Sequence, residues 1–319
     1  MQCRVCGSTQ DHPVHEAREM MFGLRDSHCY FQCLACGCLQ IEQIPADMAP
    51  YYGPGYYSFR APGRTGLAAW LVDARNRHAV LQRGLTGALL SRLQPTRQFD
   101  FLQPVRAALH ADVRMLDVGC GAGHLLRSLR SAGLRKVLGI DPFVDQDITL
   151  DGQRLVQKGR LEDVSGTFDL VMFHHSFEHM PDPVATLQRA HRLVAPGGYC
   201  IVRVPLVSSL AWRKYGINWV QLDAPRHFYL HSVDSLRGLA QRSGFTCTAV
   251  HHDSTAFQFW GSEQYANNMP MTDPHSYNLN PAGSMFSTAD IQAFTDESER
   301  LNAAGQGDQA AFYLRKAAA

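Results

Sequence analysis

Between residues 113 and 252 short apolar runs alternate with segments of helical period, and this alternation limits the possible folds more than any other feature of the chain. VRMLDVG (113–119), KVLGID (136–141), RLVQKG (154–159), FDLVMFHH (168–175), YCIVRVP (199–205) and FTCTAVHH (245–252) read as strands. Helices are expected at 124–132, at 183–194 with Val184, Leu187, His191 and Val194 on one face, and at 233–243, capped by Ser232 and stopped by Gly244. Strands joined through helices pair in parallel, so the expectation is a doubly wound α/β domain over 111–319 with helices on both faces of its sheet. FDLVMFHH, almost continuously apolar, suits a central strand, and DQAAFYLRKA (308–317) suits a seventh, antiparallel one.

The N-terminus is built differently. Six of the nine cysteines precede residue 40, and CRVCG (3–7) and CLACG (33–37) form two C-x2-C-G knuckles. Tetrahedral zinc takes four such thiolates, so Cys3, Cys6, Cys33 and Cys36 are the expected ligands of a zinc ribbon over 1–45. Four thiolates leave no open position for water, which makes the zinc structural. Cys29 and Cys38 are spares that could replace a ligand. An odd cysteine total and an opening MQCRVCGSTQ without a signal-peptide pattern point to reduced thiols in the cytoplasm. No run of about 18 apolar residues suggests a membrane span. Thirty Lys and Arg against 29 Asp and Glu give a net charge of +1, so no global field favours nucleic acid.

Residues 46–110 read as a linker and helical segment. The Pro-, Gly- and Tyr-rich stretch 45–66 marks the junction, where four tyrosines either pack the loop or cover a substrate. Leu67, Trp70, Leu71 and Ala74, then Leu85, Leu89 and Leu93, recur at helical spacing and give a helical pair that breaks at Pro95. Between the last two strands, 253–308 is longer than a hairpin needs and reads as an inserted lid, with a polar helix near 288–302.

After the first strand, Asp117 leads into Gly119-Cys-Gly121-Ala-Gly123. The third glycine comes one residue earlier than in a dinucleotide turn, and Asp117 would repel a pyrophosphate while suiting a cation, which disfavours an NAD-dependent oxidoreductase. S-adenosylmethionine carries an ammonium and a sulfonium and no phosphate. Asp141 ends the second strand where ribose hydroxyls would lie, and Leu161-Glu162-Asp163 follows the third. In order, LDVGCGAGHLL, GID, RLEDV, FDLVMFHHSFEHMPDP and LVAPGGYCIVRVP resemble the successive motifs of class I S-adenosylmethionine-dependent methyltransferases, over roughly 110–250. The resemblance implies a Rossmann-like fold. It also implies that Gly119, Gly121 and Gly123 line the methionine part, that Asp117 organises its amino-acid end, and that Asp141 with Pro142 meets the ribose. Leu161, Glu162 and Asp163 would flank adenine, and His174 would lie beside the sulfonium.

Candidate bases crowd the same end of the sheet: His174, His175, Glu178, His179 and His227. Glu178 and His179 also fit a structural role in FEHMPDP. His227 lies in a Pro-Arg-His triplet resembling one in zinc-ribbon methyltransferases of sugar, cell-surface and natural-product biosynthesis. His227 and His175 are the expected catalytic residues, with Arg226 available to an anionic substrate group and Tyr215, Trp219 and Tyr229 as stacking walls. The expected reaction is methyl transfer to a hydroxyl of a saccharide, nucleotide sugar or other small biosynthetic intermediate, and the chain leaves room for a homodimer. The alternatives are a protein or tRNA methyltransferase that docks its acceptor through the ribbon, and a non-catalytic S-adenosylmethionine-binding module.

Overall fold

The computed structural model describes residues 1–52 and 66–318. The ribbon contributes β1 (Val14–Arg18), β2 (Ser27–Gln32) and β3 (Leu39–Ile41), and the next part of the chain contributes α1 (Gly66–Leu81) and α2 (Leu85–Leu93). There follow β4 (Arg114–Val118), α3 (His124–Ser131), β5 (Lys136–Asp141), β6 (Ile148–Leu150), β7 (Gln153–Lys158), β8 (Phe168–His174), α4 (Pro183–Leu193) and β9 (Val194–Pro205). The chain ends with α5 (Leu210–Tyr215), β10 (Tyr229–Leu230), α6 (Val233–Arg242), β11 (Thr246–His252), α7 (Phe257–Ala266), α8 (Thr288–Ala303) and β12 (Gln309–Arg315).

The large sheet has the order β11-β12-β9-β8-β4-β5-β7-β6. Its centre is parallel, and β12 runs antiparallel to both β9 and β11, as expected of the last strand. The seven expected strands are joined by an eighth, β6, which pairs antiparallel to β7 at the edge. Three residues are too few to show a period in sequence. Beside β4 the chain crosses from β7 on one side to β8 on the other, which opens a crevice at the carboxyl ends of the strands.

Each face of this sheet has its own core. Met115, Met172, Ile201 and Tyr313 pack with Leu126 and Leu129 of α3 and with Phe101 and Val105 from the 3-10 turns at Asp100–Ala108. On the other face Val171, Phe173, Val202 and Phe312 pack with Leu187 of α4 and Leu236 of α6. That second core runs without a break into Cys3, Tyr30, Leu39 and Ile41 of the ribbon. The helical pair forms where its periodicity predicts, but Leu67, Trp70, Leu85, Leu89 and Leu93 are exposed, while Asn76 and Val80 are buried. No helix among the described residues is long and apolar enough to cross a membrane.

The ribbon sheet takes its fourth strand from the middle of the chain, because β10 pairs with β3. Arg226, three residues before that strand, is wholly buried. Its Nη2 donates to Glu19 Oε1 of the ribbon at 2.8 Å and to Asp223 Oδ1 at 2.6 Å, its Nε donates to Asp223 Oδ2 at 2.9 Å, and its Nη1 donates to the Tyr51 carbonyl at 3.2 Å. Burial opposes charge on the guanidinium, yet the Asp223 and Glu19 carboxylates outweigh it and hold the Arg226 pKa above its usual value. All three nitrogens are bonded and the side chain has no exposed surface, so Arg226 is not available to an anionic substrate group. Arg226→Ala would leave two buried carboxylates without their cation and should cost about 3–5 kcal/mol in chemical denaturation; a loss under about 1 kcal/mol would contradict this assignment.

Candidate functional site

The glycine loop between β4 and α3 is a cradle that side chains would fill. Gly119, Gly121 and Gly123 all have positive φ (73°, 54° and 76°). A Cβ on Gly119 would lie 2.6 Å from Ser176 Cβ, and one on Gly123 would lie 2.7 Å from Val156 Cγ2. Asp117, at the end of β4, is buried with its Oδ1 lacking a hydrogen-bond partner among the described residues. Burial, and then the Asp141 charge, push its pKa well above the usual carboxylate range. Such an orphan is relieved by a ligand that brings N–H donors or positive charge.

Asp141 ends β5 facing the same loop, accepting from Gly121 N–H through Oδ2 and from Phe143 N–H through Oδ1, each at 2.8 Å. Each oxygen keeps a second lone pair, so the carboxylate can accept two further hydrogen bonds. Pro142 and Phe143 are exposed beside it, and the Tyr52 ring stacks on Phe143 at 6.1 Å and 18°. Tyr52 therefore borders the crevice, whereas Tyr51 is buried and donates to Asp26 of the ribbon at 3.0 Å; the other two tyrosines of the 45–66 stretch lie outside the described residues. Leu161 is buried, and Glu162 and Asp163 are exposed. Asp163 Oδ2 accepts from Arg160 N–H at 2.8 Å, so that carboxylate is partly engaged in capping its own turn.

Across the crevice, the chain leaving β8 is tied to the loop by Ser176 Oγ, which donates to the Val118 carbonyl at 2.5 Å. His174 packs on Phe101, with ring centroids 4.8 Å apart, and His175 adopts φ 56°. Arg203 Nη1 lies 3.2 Å from His174 Nε2 and 2.5 Å from His175 Nε2. Burial, reinforced by the Arg203 charge, lowers both imidazoles, His174 to about 3. Glu178 follows, with no exposed surface and neither oxygen hydrogen-bonded among the described residues. Burial raises its pKa to about 8.

His227 completes the cluster from the loop fixed by Arg226. Its Nδ1 donates to the Gln221 carbonyl at 2.7 Å, and its own carbonyl accepts from Tyr30 Oη of the ribbon at 3.0 Å. Its Nε2 lies 4.0 Å from Glu178 Oε1 and 3.8 Å from Asp223 Oδ2. Burial keeps the ring neutral by lowering its pKa. The structure thus brings His175, Glu178, His179 and His227 together, while His174 turns to Phe101 and Arg203. Two expected stacking walls are core instead. Trp219 is fully buried and donates to Asp308 at 2.9 Å, and Tyr229 is fully buried and donates to the Pro181 carbonyl at 2.9 Å. Tyr215 is half-buried and bonded to Glu263 at 2.7 Å. The segment 253–308 reaches the ribbon, since Met271 N–H donates to the Met20 carbonyl at 3.1 Å and Arg25 donates to Asn268 at 2.5 Å.

In the ribbon, the sulfurs of Cys3, Cys6, Cys33 and Cys36 all lie within 4.8 Å of one another. The Cys3–Cys36 and Cys6–Cys33 pairs are 3.7 and 3.6 Å apart, close to the roughly 3.8 Å edge of a tetrahedron with zinc–sulfur bonds of about 2.3 Å. Cys29 is exposed and Cys38 lies buried beside His231, so neither joins the four.

A sequence profile described as a methyltransferase domain matches residues 77–250. The ubiquinone biosynthesis O-methyltransferase of Pseudomonas aeruginosa is 34% identical over 104 residues, covering 29% of this chain and 44% of the relative. An uncharacterized methyltransferase of Schizosaccharomyces pombe is 26% identical over 174 residues, covering 47% of this chain and 63% of the relative. This chain thus spans less than half the length of the first of these and under two thirds of the second. Among solved structures, an S-adenosylmethionine-dependent methyltransferase of Thermotoga maritima, described as a possible histamine N-methyltransferase, aligns with 15% identity and a TM-score of 0.42 over 78% of this chain and 99% of its own.

The cradle makes its own prediction. Gly119→Ala combines a strained φ with an overlap against Ser176 and should destabilise the protein by about 1–3 kcal/mol in urea denaturation. Wild-type stability in that variant would show that the loop does not pack as described.

Proposed function

Since the chain belongs to the methyltransferase-domain family, we propose that it transfers a methyl group from S-adenosylmethionine to a hydroxyl of a small molecule. The observation that carries the reading is the buried, unpartnered Asp117 oxygen set among three cradle glycines and faced by Asp141. That donor set fits this cofactor. Asp117 would take the ammonium, Gly119, Gly121 and Gly123 the methionine chain, and Asp141 with Pro142 the ribose. Leu161, Glu162 and Asp163 would border adenine, and His174 would shape the wall behind them through its contact with Phe101.

When bound, the cofactor supplies an electrophilic methyl group on a sulfonium. The protein must align the acceptor oxygen and remove its proton. His227 is the proposed base: the Gln221 carbonyl holds its proton on Nδ1, burial keeps the ring neutral, and Nε2 offers a lone pair to the hydroxyl. His175, held by Arg203 beside Glu178, would orient the acceptor. The four ribbon cysteines would hold a structural zinc whose fold supports the His227 loop. The names of the curated relatives speak of ubiquinone rather than of a sugar, so the proposed acceptor is defined by its hydroxyl and not as a saccharide.

Asp141→Ala should weaken S-adenosylhomocysteine binding about tenfold or more in calorimetry, corresponding to the loss of one or two hydrogen bonds. Unchanged affinity would remove Asp141 from the site. His227→Ala should leave that binding intact and lower kcat by about 100-fold or more. The acidic limb of the wild-type kcat/KM profile should fall below pH 6.5, since His227 titrates below its ordinary value. Turnover unaffected by the substitution would exclude His227 as the base.

A further inference from the structure

Glu178, His179 and His227 each offer one ligand atom, and the three atoms lie within 4.8 Å of one another. They come from two separately anchored segments. Ser176 ties the turn bearing Glu178 and His179 to the cofactor loop, while Arg226 and Tyr30 tie the His227 loop to the ribbon. Each imidazole is oriented from behind: His179 Nδ1 donates to the Arg226 carbonyl at 2.8 Å and His227 Nδ1 to the Gln221 carbonyl at 2.7 Å. That leaves Nε2 of both rings with a free lone pair, in the orientation that an outer carbonyl imposes on metal-binding histidines. Between them stands Glu178, fully buried, with neither oxygen hydrogen-bonded among the described residues. Its nearest imidazole nitrogens, His175 Nδ1 at 3.7 Å and His227 Nε2 at 4.0 Å, stand beyond hydrogen-bond reach; a buried carboxylate without a hydrogen bond is costly, and a cation relieves it.

We propose that Glu178, His179 and His227 bind one divalent transition-metal ion, separate from the four-thiolate ribbon site, whose open positions accept the hydroxyl oxygen of the methyl acceptor. Two imidazoles and a carboxylate favour zinc, manganese, iron(II) or cobalt over magnesium and calcium, and three protein ligands leave room for substrate. The proposal rests on the function proposed above and refines it. In the metal-loaded protein His227 Nε2 holds the ion in place of the acceptor's proton, and the ion lowers the pKa of the hydroxyl. The O–H bond breaks with its proton passing to water, and the oxygen pair forms the O–CH3 bond as the S–CH3 bond breaks onto the sulfur of S-adenosylmethionine.

The test is titration of the whole chain, with its ribbon loaded with zinc, by cobalt(II) followed in visible absorption and by manganese(II) followed by electron paramagnetic resonance. Expected is one further equivalent without thiolate-to-cobalt charge transfer, bound at least ten times more weakly in Glu178→Gln and in His227→Gln. Both variants should still hold ribbon zinc and S-adenosylhomocysteine. Should either variant fail to fold, pulsed resonance of the wild-type manganese adduct decides: nitrogen couplings from two imidazoles support the site, and their absence overturns it. No further equivalent in protein that binds S-adenosylhomocysteine overturns the metal and leaves His227 as the base. A further equivalent in protein that binds no S-adenosylhomocysteine supports the metal site and overturns the methyltransferase reading.

Discussion

The guanidinium of Arg226, sealed between Glu19 of the ribbon and Asp223 of its own loop, is the interaction on which the candidate site depends. An ion pair without water is tolerated only when the geometry is good and every donor is used, and here the fork meets three acceptor groups. The consequence is positional. The main chain on either side of Arg226 is fixed, so its carbonyl can orient His179 and its neighbour His227 can face Glu178.

This arrangement makes the ribbon the support of the His227 loop. Tyr30 bonds the His227 carbonyl, β3 pairs with β10, and Ser232 Oγ donates to the Cys36 carbonyl at 2.6 Å, within a knuckle itself. The crevice at the glycine loop therefore has two supports of different origin. The parallel sheet presents Asp117, Asp141 and the turn after β8, and the ribbon presents the loop that carries His227. Loss of the knuckle geometry should be felt in the His227 loop before it is felt in the sheet.

Much of this was legible in the sequence, and the reasons are local. Short apolar strands, capped helices and a glycine loop behind an aspartate declare themselves within about ten residues. The four cysteines are found the same way, because their spacing is the chemistry. What was not legible depends on direction and distance. Trp219 and Tyr229 look like stacking walls until the fold turns them inward, and Leu85, Leu89 and Leu93 of α2 show a helical period that does not reveal that they face out. Arg226 looks like an anion ligand, and only its partner 207 residues away shows that it is used up. The edge strand β6 and the two-residue β10 are too short to carry a period. Glu19 could have been suspected from sequence only as an acid followed closely by a Met-Met-Phe run, which alone says nothing of a buried pair.

The most direct test of the account is hydrogen exchange across residues 219–231, measured in protein loaded with zinc and again after a chelator has stripped it. If the ribbon holds this loop, protection in 219–231 should fall sharply on stripping, while β4, β5 and β8 keep theirs. Protection in 219–231 that survives complete metal removal, in protein whose ribbon amides have themselves become exchangeable, would contradict it.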